Sequence, residues 1–463
     1  MTAAPLRLVV ALPREGREAV ARAIAGLLLR AGIDCEIVAR NPDVVLQYVE
    51  AAPREETSAP ALFIPCKQRS IDDCRDALRE LIVDGELRVD KLFADRQSAY
   101  DIPSLILFLV EGWDELASPE RDSHGRFPHE SSTLFQLNAL DQPVADLLAR
   151  AVGDELLRLA GGNRPHVPEW NFCATLDIDS AGMFGGRATL RSFADIARQR
   201  PGSLPAAFSE FIRTTLRVVP DPHIRLRMLA EAMEGLDAHA TFFVQVNKSH
   251  KLDNYDLKRG STLSEQLLSI VGNTFHDIGL HSSYTTSDHA EDFFVSQWAR
   301  LRTALGPQVK RVHRAHYLRT PDAMDYGIAK EGPFVDSSLG FGAHPGFRRG
   351  TSFVHEVAQG LLELPPTTMD STYLYWLKQE PEAALEHMLI LMQRVRKVGG
   401  AFVPVWHPHN MEPLLHPGWR EAFFDLVYEA KRRGARLQSL ADTARAQHDL
   451  FLKYERALTE QAQ

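Results

Sequence analysis

Cysteine is scarce in this chain, and the four present (Cys35, Cys66, Cys74 and Cys173) form no C-x-x-C pair. That excludes a disulfide framework and leaves reduced, partly buried thiols as the expectation. Long apolar runs are missing too: nothing approaches the roughly 20 residues of a membrane span, and the longest candidate, Ser104 to Val110, is far too short. The opening stretch, Met1-Thr-Ala-Ala-Pro-Leu-Arg-Leu-Val-Val-Ala-Leu-Pro-Arg-Glu, lacks the basic start and extended apolar region of an export signal, so a cytoplasmic protein is expected. Positive charge is in deficit, with a net of −9, which argues against nucleic acid as a partner. There is no G-x-G-x-x-G and no Walker-type loop, no internal repeat and no low-complexity tract.

What is present is a 463-residue chain with 44% hydrophobic and 24% charged residues, the balance of a soluble globular protein too long for one core. A breaker-rich stretch, Gly161-Gly-Asn-Arg-Pro-His-Val-Pro-Glu, places a boundary between residues 1–163 and 164–463. In the first part, Leu6–Leu12, Asp34–Ala39 and Ala61–Pro65 read as strands. Arg14–Gly32, Val44–Ala51, Ile102–Leu116 and Val144–Leu159 read as helices, together a small α/β domain. In the second part strands (Phe172–Leu176, Ala240–Val246, Asp277–His281, Val309–His316, Phe334–Asp336, Leu361–Leu364, Phe402–Trp406, Arg436–Ser439) alternate with helices in a barrel-like rhythm. The helices include Pro222–Glu234, Asp288–Leu305, Pro381–Val398 and Gly418–Arg433.

Several of these strands end in polar groups. Asn171-Phe-Cys-Ala-Thr-Leu-Asp177-Ile-Asp179-Ser180 is an apolar run tipped by two carboxylates, which a buried strand has no structural use for. Four more polar strand ends follow in order: His276-Asp-Ile-Gly-Leu-His281-Ser-Ser, Arg311-Val-His-Arg314-Ala-His316-Tyr317-Leu-Arg319, Phe334-Val-Asp336-Ser337, and Trp406-His407-Pro-His409-Asn410. Strand ends are where α/β folds gather chemistry. Taken singly, Asp177-x-Asp179-Ser180 could cap a helix, and the arginines could lie on a solvated surface.

As an ordered set these motifs resemble those of the polysaccharide deacetylases of the NodB-homology type, carbohydrate esterase family 4, over roughly residues 165–445. The segments around Asp101-Ile-Pro-Ser, Asp122-Ser-His-Gly-Arg-Phe-Pro and Asp141-Gln-Pro-Val-Ala-Asp resemble the N-terminal companion domain of an uncharacterised bacterial subgroup, which also has D-x-D in place of Asp-Asp. The resemblance implies an irregular (β/α)7 barrel preceded by the smaller α/β domain. It implies a metal-dependent deacetylase acting on the N-acyl amide of an amino sugar or glycan precursor. Hydrolysis of another C–N bond in a small metabolite, or carbohydrate binding without turnover, are the alternatives.

By the same resemblance Asp177 is the general base, Arg314 its partner, and His407 the general acid. Asp370 is the candidate that holds His407 as imidazolium, and the backbone N–H of Tyr317 is an oxyanion donor. Arg319, Asp336 and Ser337 are placed as substrate contacts or site support, and His409 is a nearby spare. The second motif departs from the family's His-(Ser/Thr)-x-x-His, since Thr285 stands where the second His belongs. His276 would lie roughly 16 Å from His281 along an extended strand, facing the other way. His316 shares strand parity with Arg314, so Asp179, His281 and His316 are the expected metal set, with packing or substrate binding as the alternative for His316. Those N,N,O donors favour zinc, with nickel or cobalt possible.

A basic helical insertion is expected at 184–221. From Arg187 to Arg227 there are eight arginines (187, 191, 198, 200, 213, 217, 225, 227) against Asp195, Glu210 and Asp221. It reads either as a solvated face or, through residues such as Arg191 and Arg198, as a wall for an anionic substrate.

Overall fold

The computed structural model describes residues 5–13, 17–50, 59–67, 69–162, 168–288, 290–321 and 334–461. The N-terminal region is built on four parallel strands in the order Cys35–Ile37, Leu6–Ala11, Val44–Val49, Ala61–Pro65, continued by the short antiparallel pair Gln97–Ser98 and Phe93–Ala94. Val44–Val49 was expected to be helical and is a strand. Five of its six residues are buried, so it is covered on both faces between two neighbours, and a short continuous apolar run carries no period to tell the two states apart. The single helix expected over Ile102–Leu116 is two, Ile102–Val110 and Trp113–Ala117, because Gly112 takes a left-handed φ of 69° that turns the chain.

Among the described residues the second sheet has nine strands. Five of them, Ala174–Ile178, Ala240–Gln245, Asp277–Ser282, Val312–Ala315 and Phe334–Asp336, are neighbours in sequence order and parallel. Their carboxyl ends therefore lie along one edge. Pro404–Trp406 pairs with the other side of Ala174–Ile178, and Thr368–Met369 lies beyond it. The sheet curls as a half-barrel in a mixed α/β fold. Helices such as Pro381–Val398, which begins with Pro at its first turn and stops at left-handed Gly399, pack apolar faces onto it.

The two regions share buried polar contacts. Glu115 bonds Arg348 and Arg349, at 2.6 and 2.8 Å for the closest atoms. Burial pushes the Glu115 carboxyl up, but the two guanidiniums outweigh it and hold it at about 2. Asp146, fully buried, accepts from the Thr351 hydroxyl (2.6 Å) and the Ser352 N–H (2.7 Å). The C-terminal helix Leu440–Gln461 sends Tyr454 and Leu458 into the N-terminal apolar cluster. Among the described residues no helix is long and apolar enough to cross a membrane.

Candidate active site and metal cluster

Seven of the residues singled out in the sequence come together at the carboxyl edge of the second sheet. Asp177, Asp179, His281, His316, Tyr317, His407 and His409 line one cavity of about 340 Å³. The register accounts for this: His281 pairs with Arg314 across adjacent strands, and Leu176 is level with Trp406, which brings Asp177 beside His407. His316 follows the strand Val312–Ala315 directly, in a short 3-10 turn rather than on the strand.

Asp179, His281 and His316 each offer a ligand atom, all within 4.8 Å of one another. Asp179 Oδ1 lies 3.1 Å from His281 Nε2, yet it is buried and no protein donor bonds it in proper geometry. His316 Nε2 is 3.7 Å from Asp179 Oδ2. Both imidazoles have the other nitrogen committed: His281 Nδ1 to the Arg314 carbonyl (2.9 Å) and His316 Nδ1 to Asp253 Oδ1 (2.9 Å). That fixes the tautomer so that each Nε2 faces Asp179 with its lone pair, the outer-shell pattern typical of metal-binding histidines. An orphaned carboxylate oxygen between two pre-aimed nitrogens fits a divalent cation, and the N,N,O set suits zinc.

Electrostatics agree with that fit. Burial alone would lower the His316 imidazole, but Asp179 and Asp253 outweigh it and raise it to about 9. Burial likewise opposes ionisation of Asp179 and Asp253. The imidazoles reverse this, holding Asp179 well below the usual carboxylate range and Asp253 at about 2. The pocket is a negative well that wants positive charge, a proton in one state or a metal ion in another.

Beside it sit two further pairs. Arg314, fully buried, donates from NH1 to Asp177 Oδ1 (2.9 Å) and to Thr175 Oγ1 (2.7 Å). Asp177 Oδ2 is thereby left facing the cluster, 4.0 Å from His281 Nε2. His407 Nδ1 donates to Asp370 Oδ1 at 2.6 Å, and its Nε2 lies 3.5 Å from Asp179 Oδ2. Burial lowers this imidazole, but Asp370, then Asp179 and Asp177, raise it to about 10. Asp370 is itself fixed by the His407 N–H (2.8 Å) and the Asn410 amide (3.0 Å).

Three expected substrate contacts are placed elsewhere. Asp336 and Ser337 are fully buried and do not reach the cavity. Ser337 accepts from Arg314 Nε through its carbonyl (2.7 Å) and from NH2 through its hydroxyl (2.8 Å), so it buttresses the guanidinium. Asp336 folds back onto the Ser337 N–H (2.8 Å) and the Ser338 hydroxyl (2.5 Å). Arg319 is committed to Asp288 and to the His124 carbonyl (2.7 Å), outside the cavity lining. The strand reading found the right ends, but not which tips face inward and which are consumed by packing.

Behind Asp336 lies a buried carboxyl the sequence did not flag. Glu363 accepts from the Leu339 N–H (2.9 Å), and burial together with Asp336 pushes its pKa up. The folded state therefore holds a proton that the unfolded chain releases above the ordinary carboxyl range. Stability from this group is complete below that range and falls as pH rises toward the raised value, by at most about 1.4 kcal/mol per pH unit. Thermal melts from pH 5 to 8 should show Glu363→Gln flattening the alkaline decline of the parent; parallel curves would mean the proton is absent.

Asp253 and the cavity rim were also missed. Asp253 sits in the loop after Ala240–Gln245 and gathers the N–H groups of Ser249 (3.0 Å), His250 (2.8 Å) and Tyr284 (2.9 Å) as well as His316. Tyr375 and Trp376, on a π-helical turn Thr372–Leu377, are more than half exposed at the cavity mouth. π-turns recur at functional sites. His276 bonds the Ala240 N–H and the Ala230 carbonyl, each at 3.0 Å, remote from the cluster. Tyr317 (φ 61°) and Leu318 (φ 54°) are consecutive non-glycine residues in the left-handed region, a strain of roughly 1–2 kcal/mol each.

The basic insertion forms helices Arg187–Gln199 and Leu204–Thr215. Arg198 pairs with Asp195 (2.7 Å) and Arg213 with Glu210 (3.0 Å) on the solvated surface. Arg191 and Arg200 instead line a second opening with Lys378, which shares Tyr375 and His409 with the first cavity.

Residues 31–160 match a family described only as of unknown function, DUF7033. No curated protein matches the chain. Among solved structures, one similar chain is a Bordetella bronchiseptica protein described as a candidate polysaccharide deacetylase involved in O-antigen biosynthesis. It is 15% identical and covers 63% of this chain and 90% of its own, with a TM-score of 0.27. A likeness that loose carries no weight for the chemistry.

Proposed function

We propose that the chain is a metal-dependent amidohydrolase that removes an acyl group, acetyl in the first instance, from an amino sugar. The observation that supports it is the convergence of Asp179, His281 and His316 beside an Asp177–Arg314 pair and a His407–Asp370 pair in one cavity. When bound, a divalent ion would supply Lewis acidity to the acyl carbonyl and to water. Asp177, with Oδ1 tied to Arg314, keeps Oδ2 to accept a proton from the attacking water. His407, charged by its carboxylate neighbours, hands the Nε2 proton to the departing nitrogen, so that amide and water leave as carboxylate and amine. The Tyr317 N–H, on a residue that lines the cavity, stands to stabilise the oxyanion. The rim aromatics Tyr375 and Trp376 suit the apolar faces of a sugar ring. In this reading residues 1–163 and 164–463 are a companion domain and a (β/α)7 deacetylase barrel.

The direct test is acetate release from N-acetylated glucosamine oligomers by protein loaded with zinc, nickel or cobalt, against chelator-treated protein. Turnover lost with the metal and restored by it is the expected result. Metal binding without release from any N-acyl sugar would point to a different C–N bond or to binding alone.

The second opening bears on the substrate's charge. Among the described residues no ion pair is found for Arg191, Arg200 or Lys378, and all three line, together with Asp195 and Glu380, an opening that shares Tyr375 and His409 with the cavity. If that space seats a phosphate or carboxylate, Arg191→Glu with Arg200→Glu should raise KM about ten-fold with kcat little changed, and salt should raise the parent's KM. A KM indifferent to both would return these side chains to a solvated role.

A further inference from the structure

The region matching DUF7033 contributes a segment to this cavity. His124 and Arg126 both line the cavity. They belong to a tight loop built by Asp122, whose Oδ1 accepts the N–H groups of His124 (2.8 Å) and Arg126 (2.9 Å). Gly125, at φ 76°, supplies the left-handed turn that closes it. Asp122 Oδ2 then takes Arg126 Nε (2.8 Å) and NH2 (2.7 Å) as a fork. The remaining nitrogen, NH1, donates to the Tyr317 carbonyl at 2.7 Å.

That carbonyl belongs to the left-handed pair Tyr317–Leu318. The His124 ring also packs on the Tyr317 ring, with centroids 4.9 Å apart, and His124 Nδ1 lies 3.1 Å from the Tyr284 hydroxyl. From the barrel side Arg319 grips the loop through the His124 carbonyl, at 2.7 Å. The approach depends on Gly342, where an added Cβ would lie 2.5 Å from Arg126 NH1.

We infer that Arg126 is a positioning residue for the reaction: through the Tyr317 carbonyl it holds the strained turn that presents the Tyr317 N–H in the cavity. The inference rests on the deacetylase reading for its chemistry, and on geometry alone for the clamp. A guanidinium whose charge is already met by Asp122 is a poor receptor for an anionic substrate, but a rigid bar between two backbones. The N-terminal region thereby becomes a working wall of the site.

The test uses the full chain, with backbone hydrogen exchange over 317–319, metal content, and turnover of an N-acetylated glucosamine oligomer. Arg126→Ala should speed exchange at least ten-fold and lower kcat at least ten-fold, with KM within two-fold and metal content unchanged. Arg126→Lys should recover part of both, because an ammonium still reaches the Tyr317 carbonyl. Gly342→Ala, which displaces the guanidinium while leaving Asp122 in place, should reproduce the Arg126→Ala pattern. Unchanged exchange and kcat in Arg126→Ala overturn the inference, as does a kcat loss that comes with lost metal and unchanged exchange. If the parent turns over no N-acyl sugar, the deacetylase reading fails; exchange alone then decides the clamp, upheld if faster and overturned if unaltered.

Discussion

Asp177→Asn is expected to keep its metal and lose turnover by a factor of roughly 10²–10⁴, the range for removal of a general base. Asparagine can still accept Arg314 NH1 through its carbonyl oxygen, but it has no basic oxygen left to take a proton from water. Metal content should hold because the ligand atoms belong to Asp179, His281 and His316. A stability cost of about 3 kcal/mol should accompany the change, since Arg314 becomes a buried charge with only neutral acceptors at Thr175 and Ser337. Elemental analysis, a melt and steady-state kinetics on one preparation separate these effects. Parent-level turnover would remove Asp177 from the mechanism and with it the motif assignment.

His316→Ala should lose metal and activity together. It takes one of three ligands and leaves Asp179 and His281, fewer than the three protein ligands usual in catalytic zinc sites. His276→Ala is the contrasting case. That ring is neutral, lowered to about 4 chiefly by burial, and it satisfies two backbone groups. Its loss should cost about 1–3 kcal/mol of stability with metal retained. Asp253→Asn should lie between them, weakening zinc about 10–100-fold by releasing His316 from its orientation. Full occupancy after loss of His316 would show the cluster to be misassigned.

Much of this candidate site was legible in the sequence for a simple reason: Asp177, His281 and His407 each close an apolar run, Arg314 stands among polar groups at another strand end, and parallel strands deliver their ends to one edge. His316 could be reached from the gap at Thr285 and from parity with Arg314, although the structure seats it in a turn just past the strand. Asp253 could not be reached. It shares a loop with Asp256, and only the folded path decides that one carboxylate grips His316 while the other accepts the Lys248 N–H. Asp336 and Ser337 were read as substrate contacts or site support, and pattern alone left the two open, because it shows that a tip is polar but not whether Arg314 consumes it. Val44–Val49 was misread because burial on both faces erases periodicity. The Asp122–Arg126 segment stood out only by its resemblance to the companion domain, and its contact with Tyr317 spans 191 positions, beyond any local signal.

The Glu115 bridge to Arg348 and Arg349 has a bearing on how this molecule can change over time. A carboxylate on one side of the breaker-rich boundary neutralises two buried guanidiniums on the other. Exchange the N-terminal region for an unrelated one and those cations lose their anion inside the protein; express the C-terminal region alone and they must find water. The chain is therefore not a pair of interchangeable modules. The two halves are bound to drift together, and a relative that lost one would have to rebuild the surface of the other.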